Sequence, residues 1–425
     1  MNIEQLHQIF LQFPLVCTDT RKIKINCLFF ALKGDNFNGN EYADEALKKG
    51  ASYSIVDEEK YATSDKTILV KDVLQTLQKL ATFHRNFYSA KVIGLTGSNG
   101  KTTTKELVNA VLSSKYKTIA TIGNLNNHIG VPLTLLTIKE DTEIAIVEMG
   151  ANHQKEIEFL CSLAQPDYGY ITNFGKAHLE GFGSVEGVIE GKSELYDYLL
   201  ANQKSIFLNA DDPIQHKKLG HYIKKYGFTT AKKEYFKIKF LISDPYVSLS
   251  VEDIEINSKL IGNYNFTNCC AAVLMGKYFN VELNDIKTAI ESYIPQNNRS
   301  QIIESNGTRI ILDAYNANPT SMKVALENFN SLSGEPKIAF LGDMFELGAT
   351  SNEEHQNIAD LTSSLDISEV FLVGDNFYRT KTPLKKFKNY EALALYLADV
   401  ELPSNSTILI KGSRGMALER LLELL

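Results

Sequence analysis

Residues 91–106 read KVIGLTGSNGKTTTKE, and the reading of this stretch decides the fold. Val92, Ile93 and Leu95 form a short apolar run of strand character. The polar segment Thr96-Gly97-Ser98-Asn99-Gly100-Lys101-Thr102-Thr103 follows, and a helix-forming segment comes after it. Strand, glycine loop and helix together grip a triphosphate. The glycines let backbone N–H groups turn onto anionic oxygens, and the helix N-terminus adds its partial positive charge. Lys101 offers a point charge for the β- and γ-phosphates, and the Thr102 hydroxyl suits Mg²⁺. The strict pattern asks for glycine at position 95, where this chain has leucine, with Gly94 and Gly97 nearby. The loop is therefore a TGxxGKTT variant, and ATP contacts are expected from Gly97 through Thr103.

Outward from the loop, residues 89–296 alternate strand and helix. Strands are expected at 91–95, 117–121, 143–148, 168–172 and 205–209, with helices at 102–114 and 184–200. Such alternation implies a mostly parallel sheet, whose ligands bind beyond the carboxyl ends of the strands. Polar residues gather at those ends. Glu148 closes EIAIVEMG, TNFGKAH (172–178) carries His178, and NADD occupies 209–212. A carboxylate ending a buried strand beside a phosphate loop makes Glu148 a candidate Mg²⁺ ligand. His178 lies in a polar, glycine-flanked loop. Lys192, in EGKSEL, reads by itself as a solvated lysine. Asn124, Asn126 and Asn127 are turn formers or substrate contacts, and pattern does not separate the two.

Residues 1–88 read as a small α/β unit. Ile3, Leu6, Ile9 and Phe10 follow helical spacing, a helix at 41–49 stops at Gly50, and Asp72-x-x-Gln75 resembles a capping box. Residues 297–425 open with a hairpin expected at Asn306-Gly307 and continue as a second doubly wound, Rossmann-like sheet. Helices are expected there at 352–364, near 390–400 and at 415–425. Arg299 sits at the junction, where a guanidinium can reach a phosphate from another domain. LysGlySerArgGly (411–415) suits an anion such as a carboxylate.

Length and charge bound the function. At about 150 residues per domain, 425 residues make three domains. A net charge of −7, from 44 basic and 51 acidic residues, argues against nucleic-acid binding, which shows as a basic face. The lysines of 217–239 read as a solvated helix and edge strand. Five cysteines without a CxxC pair suggest neither zinc nor a disulfide framework, and fit a reducing cytoplasm. The opening MNIEQLHQIFLQF lacks the basic and long apolar regions of a leader. No run approaches the roughly 18–20 apolar residues of a membrane helix.

Beyond spacing, TGSNGKTTTKE, GNLNNHIGVP, EMGANHQKEIEFL, TNFGKAHLEGFGS, EGKSEL, LNADDP, GNYNFTNCCAA, NNRSQ and DAYNANPTSM resemble the successive motifs of the Mur ligases. These are cytoplasmic ATP-dependent amide-forming enzymes of peptidoglycan precursor synthesis, and the resemblance covers nearly the whole chain. It implies three domains: UDP-substrate at 1–88, ATP at 89–296, and the incoming amino acid or peptide at 297–425. LGDMFELGATSNEEH and KGSRGMALE resemble the branch that adds D-alanyl-D-alanine to UDP-N-acetylmuramoyl-tripeptide.

The resemblance also implies roles. Lys192 matches a lysine that the family carbamylates with CO₂, and His178 a histidine at the same, second Mg²⁺. Thr102 and Glu148 match ligands of the first. Lys101, His178, Lys192 and Glu148 are the catalytic set. Asn265, Asn268, Arg299, Asp313 and Asn316 match positions around the nucleotide, and Thr20 and Arg21 the uridine-diphosphate end. Asn126, Asn127, Lys411, Ser413 and Arg414 complete the expected substrate contacts, with a monomer as the expected state. Asp375-Asn376-Phe377-Tyr378-Arg379 departs from the Asp-Asn-Pro-Arg motif of diaminopimelate-adding relatives, because proline is absent and Arg379 comes one residue late. A Mur-type ligase adding a single amino acid, a folylpolyglutamate-type ligase and a P-loop regulatory ATPase are the alternatives.

Overall fold

The computed structural model describes every residue except Gln296, Asn297, Asn306 and Glu335. The expected boundary between 296 and 297, and the hairpin residue Asn306, lie outside the described residues. The chain is mixed α/β and is built around three sheets that are wholly or mainly parallel.

The middle sheet has seven parallel strands in the spatial order Phe236–Lys237, Lys225–Thr229, Ser205–Asn209, Tyr168–Ile171, Lys91–Thr96, Ile144–Glu148 and Thr118–Ala120. The strand Lys91–Thr96 is apolar and buried from Val92 onward, as a strand covered on both faces must be. The chain leaves it for one edge, returns to pair beside it, then crosses to its other side. That reversal of strand order opens a crevice at its carboxyl end. Register sets what lines the crevice: Leu95 pairs with Glu148, and Thr96 with Ile171.

Leucine at 95 has a structural reason. It is still strand and fully buried, and the turn begins two residues later, at Gly97 (φ +141°). A Cβ on Gly97 would lie 2.0 Å from Thr172 Oγ1, so the close approach that demands glycine occurs there.

A three-stranded antiparallel sheet, Lys239–Ser243, Tyr246–Val251 and Ile254–Ile261, leads into the helix Tyr264–Tyr278. This helix is buried nearly all round, the mark of a core helix, and it packs on the phosphate-loop helix Lys101–Ser113. The antiparallel sheet was not legible as alternation, whereas the helix carries the GNYNFTNCCAA stretch.

The N-terminal sheet has four parallel strands, Leu15–Cys17, Cys27–Phe30, Tyr53–Val56 and Thr67–Leu69. Its last helix, Val73–Phe87, is capped by Asp72, which accepts the Gln75 N–H at 2.8 Å. The reciprocal half of the expected box is missing, because the Gln75 amide turns to the Asp72 carboxylate instead. This helix fastens the unit to the middle sheet. Arg85 donates to the Ala164 and Gln165 carbonyls and to Asp167, and His84 to the Ile138 carbonyl.

The C-terminal sheet runs Gln301–Ser305, Thr308–Asp313, Thr407–Lys411, Lys337–Gly342, Glu369–Val373, Lys385–Phe387, parallel after an antiparallel first pair. The expected hairpin is present, with Ser305 opposite Thr308. The expected helix at 415–425 is instead two 3₁₀ segments, Arg414–Met416 and Leu418–Glu423. Leu418 and Leu421 are buried three apart, the spacing that a three-residue turn places on one face. Among the described residues no helix is long and apolar enough to cross a membrane.

Candidate active site

One cleft of about 1020 Å³ opens at the carboxyl end of the middle sheet, between it and the C-terminal unit. The phosphate loop forms its floor. Gly100 takes a left-handed conformation (φ +77°) and caps the following helix with no side chain. The first-turn N–H groups of that helix are thus directed outward, as in an anion site. The loop is held from behind. Ser98 and Asn99 donate backbone N–H groups to Asn173, and Thr172 Oγ1 donates to the Asn99 carbonyl at 2.6 Å. From the other side, Asn268 accepts from Thr104 Oγ1 at 3.0 Å and donates to Asn265, which donates to the Ile261 carbonyl. A Cβ on Gly100 would lie 2.7 Å from Asn268 Oδ1, so the asparagine shapes the loop by contact.

Lys101 folds over the loop, its Nζ 2.7 Å from the Gly97 carbonyl. Burial lowers its pKa; Glu148 opposes the shift and Arg299 adds to it. Thr103 lines the cleft. Thr102 Oγ1 donates to Glu148 Oε2 at 2.9 Å, and Asn126 Nδ2 to Glu148 Oε1 at 2.8 Å. Thr121, absent from the sequence reading, accepts the Glu148 N–H at 2.9 Å. Glu148 is 1 % exposed, and all these bonds aim a hard oxygen donor at the loop. Asn127 is a turn former, accepting the N–H groups of Ile129 and Gly130, and its side also lines the cleft.

Lys192 lies behind the wall formed by Gly150–Asn152. It is fully buried, donates to the Ala151 carbonyl at 2.7 Å and sits 4.9 Å above the Phe182 ring. Desolvation, with the charge of Lys101 second, pushes its pKa well below the ordinary lysine value. The solvated lysine that position alone suggests is therefore not what the fold makes. His178 lines the cleft at φ +54°, with Nδ1 2.5 Å from Glu346 Oε2. The contact holds the Glu346 carboxyl below the usual range.

The C-terminal unit supplies the opposite wall. Asp313 and Lys411 are register partners and pair at 2.5 Å. Arg299 stacks on Tyr315 with 3.6 Å from its guanidinium carbon to the ring centre, and Asn316 lines the same wall. Besides the His178–Glu346 contact, several hydrogen bonds and an ion pair join this unit to the middle one. Asn318 donates to Asn99 at 2.7 Å, Thr320 accepts the Lys176 N–H at 2.9 Å, and Lys176 Nζ pairs with Glu354 at 2.6 Å.

Models of the Mur ligase middle domain, of the Mur ligase glutamate ligase domain and of the Mur ligase family catalytic domain match residues 95–276, 298–414 and 13–85. The chain is 35 % identical over 423 residues to the Bacillus subtilis UDP-N-acetylmuramoyl-tripeptide–D-alanyl-D-alanine ligase, covering 96 % of this chain and 92 % of that one. The chain belongs to the Mur ligase family. Among solved Mur ligases, MurF from Acinetobacter baumannii superposes with a TM-score of 0.86 at 29 % identity, covering 99 % and 98 % of the two chains. MurF from Thermotoga maritima in complex with ADP gives 0.84 at 28 % identity, covering 97 % of each.

In this Mur ligase several expected site residues stand outside the cleft. Thr20 and Arg21 form a 3₁₀ turn on the N-terminal unit, with Arg21 on the surface and paired to Asp19 at 2.8 Å. Ser413 is buried and accepts the Phe345 N–H at 2.9 Å, so it shapes a neighbouring loop. Arg414 is exposed, 3.5 Å from Glu419 and 5.7 Å from the Tyr315 ring centre. The Asp375–Tyr378 stretch is a short helix whose opening N–H groups, at Asn376 and Phe377, are both accepted by Asp343 at 2.9 Å. Asp211 and Asp212 bind Thr229, Thr230 and the next helix N-terminus. Among the described residues, no group of three His, Cys, Asp or Glu could hold a metal by itself.

Proposed function

We propose that the chain joins D-alanyl-D-alanine to UDP-N-acetylmuramoyl-tripeptide with ATP, forming an amide, ADP and phosphate in peptidoglycan precursor synthesis. The observation that carries the chemistry is the convergence of phosphate loop, buried carboxylate and facing basic wall on one cleft. The identity of the substrates is supported by the names of relatives that match along nearly the whole chain.

The reaction begins with the terminal carboxylate of the UDP-linked peptide attacking the γ-phosphorus of ATP, which releases ADP and leaves an acyl phosphate. Lys101 and the first-turn N–H groups offset the charge of the phosphates, and positioning with charge stabilisation supplies most of the rate. Arg299, Asn265, Asn268, Asp313 and Asn316 surround the nucleotide. The dipeptide amine then attacks the acyl carbon, the tetrahedral adduct collapses, and phosphate leaves with the former carboxylate oxygen. Thr20 and Arg21 hold the uridine-diphosphate end. Asn126, Asn127, Lys411 and Arg414 serve the peptide and dipeptide, and Ser413 acts through the loop whose Phe345 N–H it accepts.

The donor set fits Mg²⁺. Thr102 and Glu148 offer hard oxygens, and a site with so few protein ligands is completed by nucleotide phosphates and water, as Mg²⁺ sites are. The ion would polarise phosphoryl oxygens as a Lewis acid. His178 would serve a second ion. Lys192 suits carbamylation because burial disfavours its ammonium form and favours the neutral amine, the form that adds CO₂. That adduct, with loss of one proton, is a carboxylate and hence an oxygen ligand. A reducing cytoplasm fits five cysteines that are all free.

The test is phosphate release by the purified protein with ATP, Mg²⁺ and UDP-N-acetylmuramoyl-tripeptide. Release that requires D-alanyl-D-alanine and ignores single amino acids is expected. Release without the UDP-peptide would instead favour a regulatory ATPase.

A further inference from the structure

We propose that Glu346 is a positioning residue for His178: its carboxylate, carried by the C-terminal unit, holds the imidazole with the proton on Nδ1 and leaves Nε2 as the lone-pair nitrogen. The inference rests on the reading of His178 as a metal ligand. An imidazole ligates a metal through a lone pair, and the group bonded to its other nitrogen fixes both tautomer and orientation.

Four observations carry it. Glu346 Oε2 lies 2.5 Å from His178 Nδ1. His178 Nδ1 is buried and makes no hydrogen bond of ordinary geometry among the described residues, so the Glu346 carboxylate is present to it as a close ion-pair partner. Both residues hold left-handed backbone conformations, φ +54° at His178 and +60° at Glu346. Non-glycine residues keep that conformation only where the surroundings impose it, and such positions gather at functional sites. The two loops are also joined through the backbone, with the Glu180 N–H donating to the Glu346 carbonyl at 3.1 Å. The Glu346 side chain is about half exposed, so it is the two constrained backbones and that bond that keep the pair in register.

The consequence is conditional assembly. Glu346 belongs to GDMFELG, after the strand Lys337–Gly342, whereas His178 follows a strand of the middle sheet. The histidine is therefore oriented only while the C-terminal unit is docked, as it is here through Lys176–Glu354 and Asn318–Asn99. Substrate closure and ligand orientation become one event.

The experiment uses the full chain labelled with ¹⁵N-histidine, with His178→Gln identifying the resonance. Wild type is expected to show His178 protonated on Nδ1, and Glu346→Ala to show a mixture of tautomers. In Glu346→Ala, the Mg²⁺ concentration at half-maximal thermal stabilisation by a non-hydrolysable ATP analogue together with UDP-N-acetylmuramoyl-tripeptide should rise roughly 10–100-fold. Turnover should fall by a similar factor while KM for ATP stays near the wild-type value. Glu346→Gln, which keeps an acceptor oxygen, should recover part of each effect. An unchanged tautomer in Glu346→Ala, with unchanged Mg²⁺ dependence, overturns the inference. A His178→Gln protein with wild-type Mg²⁺ dependence overturns instead the metal-ligand reading beneath it.

Discussion

A lysine without exposed surface must shed its proton or find a counter-charge, because an unpaired buried ammonium costs several kcal/mol. Among the described residues Lys192 has a carbonyl and an aromatic face, no carboxylate at contact distance, and a second cation in Lys101 working against its charge, which the more distant Glu156 and Glu194 only partly offset. The proposed carbamylation would remove that conflict. Lys192→Ala should lower turnover by at least ~10³-fold, in the range of losing a metal's charge stabilisation, and short carboxylic acids should restore part of it. Full activity in the variant would contradict the carbamate role. Glu148→Gln keeps the shape and removes the charge. It should cost roughly 10²-fold or more in kcat, measured as ADP release at saturating substrate. At this scale Glu148 was legible because a carboxylate ending an apolar strand is a strong signal. The burial of Lys192 was not, since it depends on Phe182 and Ala151, which lie 10 and 41 residues away in sequence.

The phosphate loop and its braces behave as one element. Gly97→Ala would place a methyl 2.0 Å from Thr172 Oγ1 at a φ that alanine disfavours. The loop would have to open, and KM for ATP should rise more than tenfold; nucleotide titration followed by thermal shift checks this. The Val73–Phe87 helix carries a pH-dependent contact. His7 Nε2 meets His84 Nδ1 at 3.0 Å, both rings are buried, and His84 donates through Nε2 to the Ile138 carbonyl. Burial, with His84 second, lowers the His7 pKa from 6.5 to about 4. The unfolded chain therefore takes up this proton at a higher pH than the folded chain does. Stability from the neutral pair is complete above pH 6.5 and declines as pH falls towards 4, by up to about 3 kcal/mol. Urea unfolding at pH 7 and pH 5 should show the loss, and His7→Leu should flatten it. The strands and helices around the loop were legible because alternation and glycine punctuation are local. The antiparallel sheet at 239–261 and the 3₁₀ ending were not, because the packing of distant residues sets both.

The whole molecule is a cleft closed by contacts between units. Lys176→Met removes the Lys176–Glu354 pair, which is partly exposed on the lysine side and worth only about 0–1 kcal/mol to stability. Its effect should appear instead in turnover, several-fold lower, if docking assembles the site; an unchanged Tm with a reduced kcat is the expected combination. Recognition of the whole was legible because the motifs recur in order along the chain. The face that each unit presents to its neighbour was not, since Asn318–Asn99 and His178–Glu346 join residues more than 160 positions apart. The most direct measurement is isotopic. UDP-N-acetylmuramoyl-tripeptide labelled with ¹⁸O in its terminal carboxylate is turned over with ATP and D-alanyl-D-alanine, and the released phosphate is analysed by mass spectrometry. An acyl-phosphate route delivers one ¹⁸O to each phosphate per turnover. Phosphate free of label would contradict it.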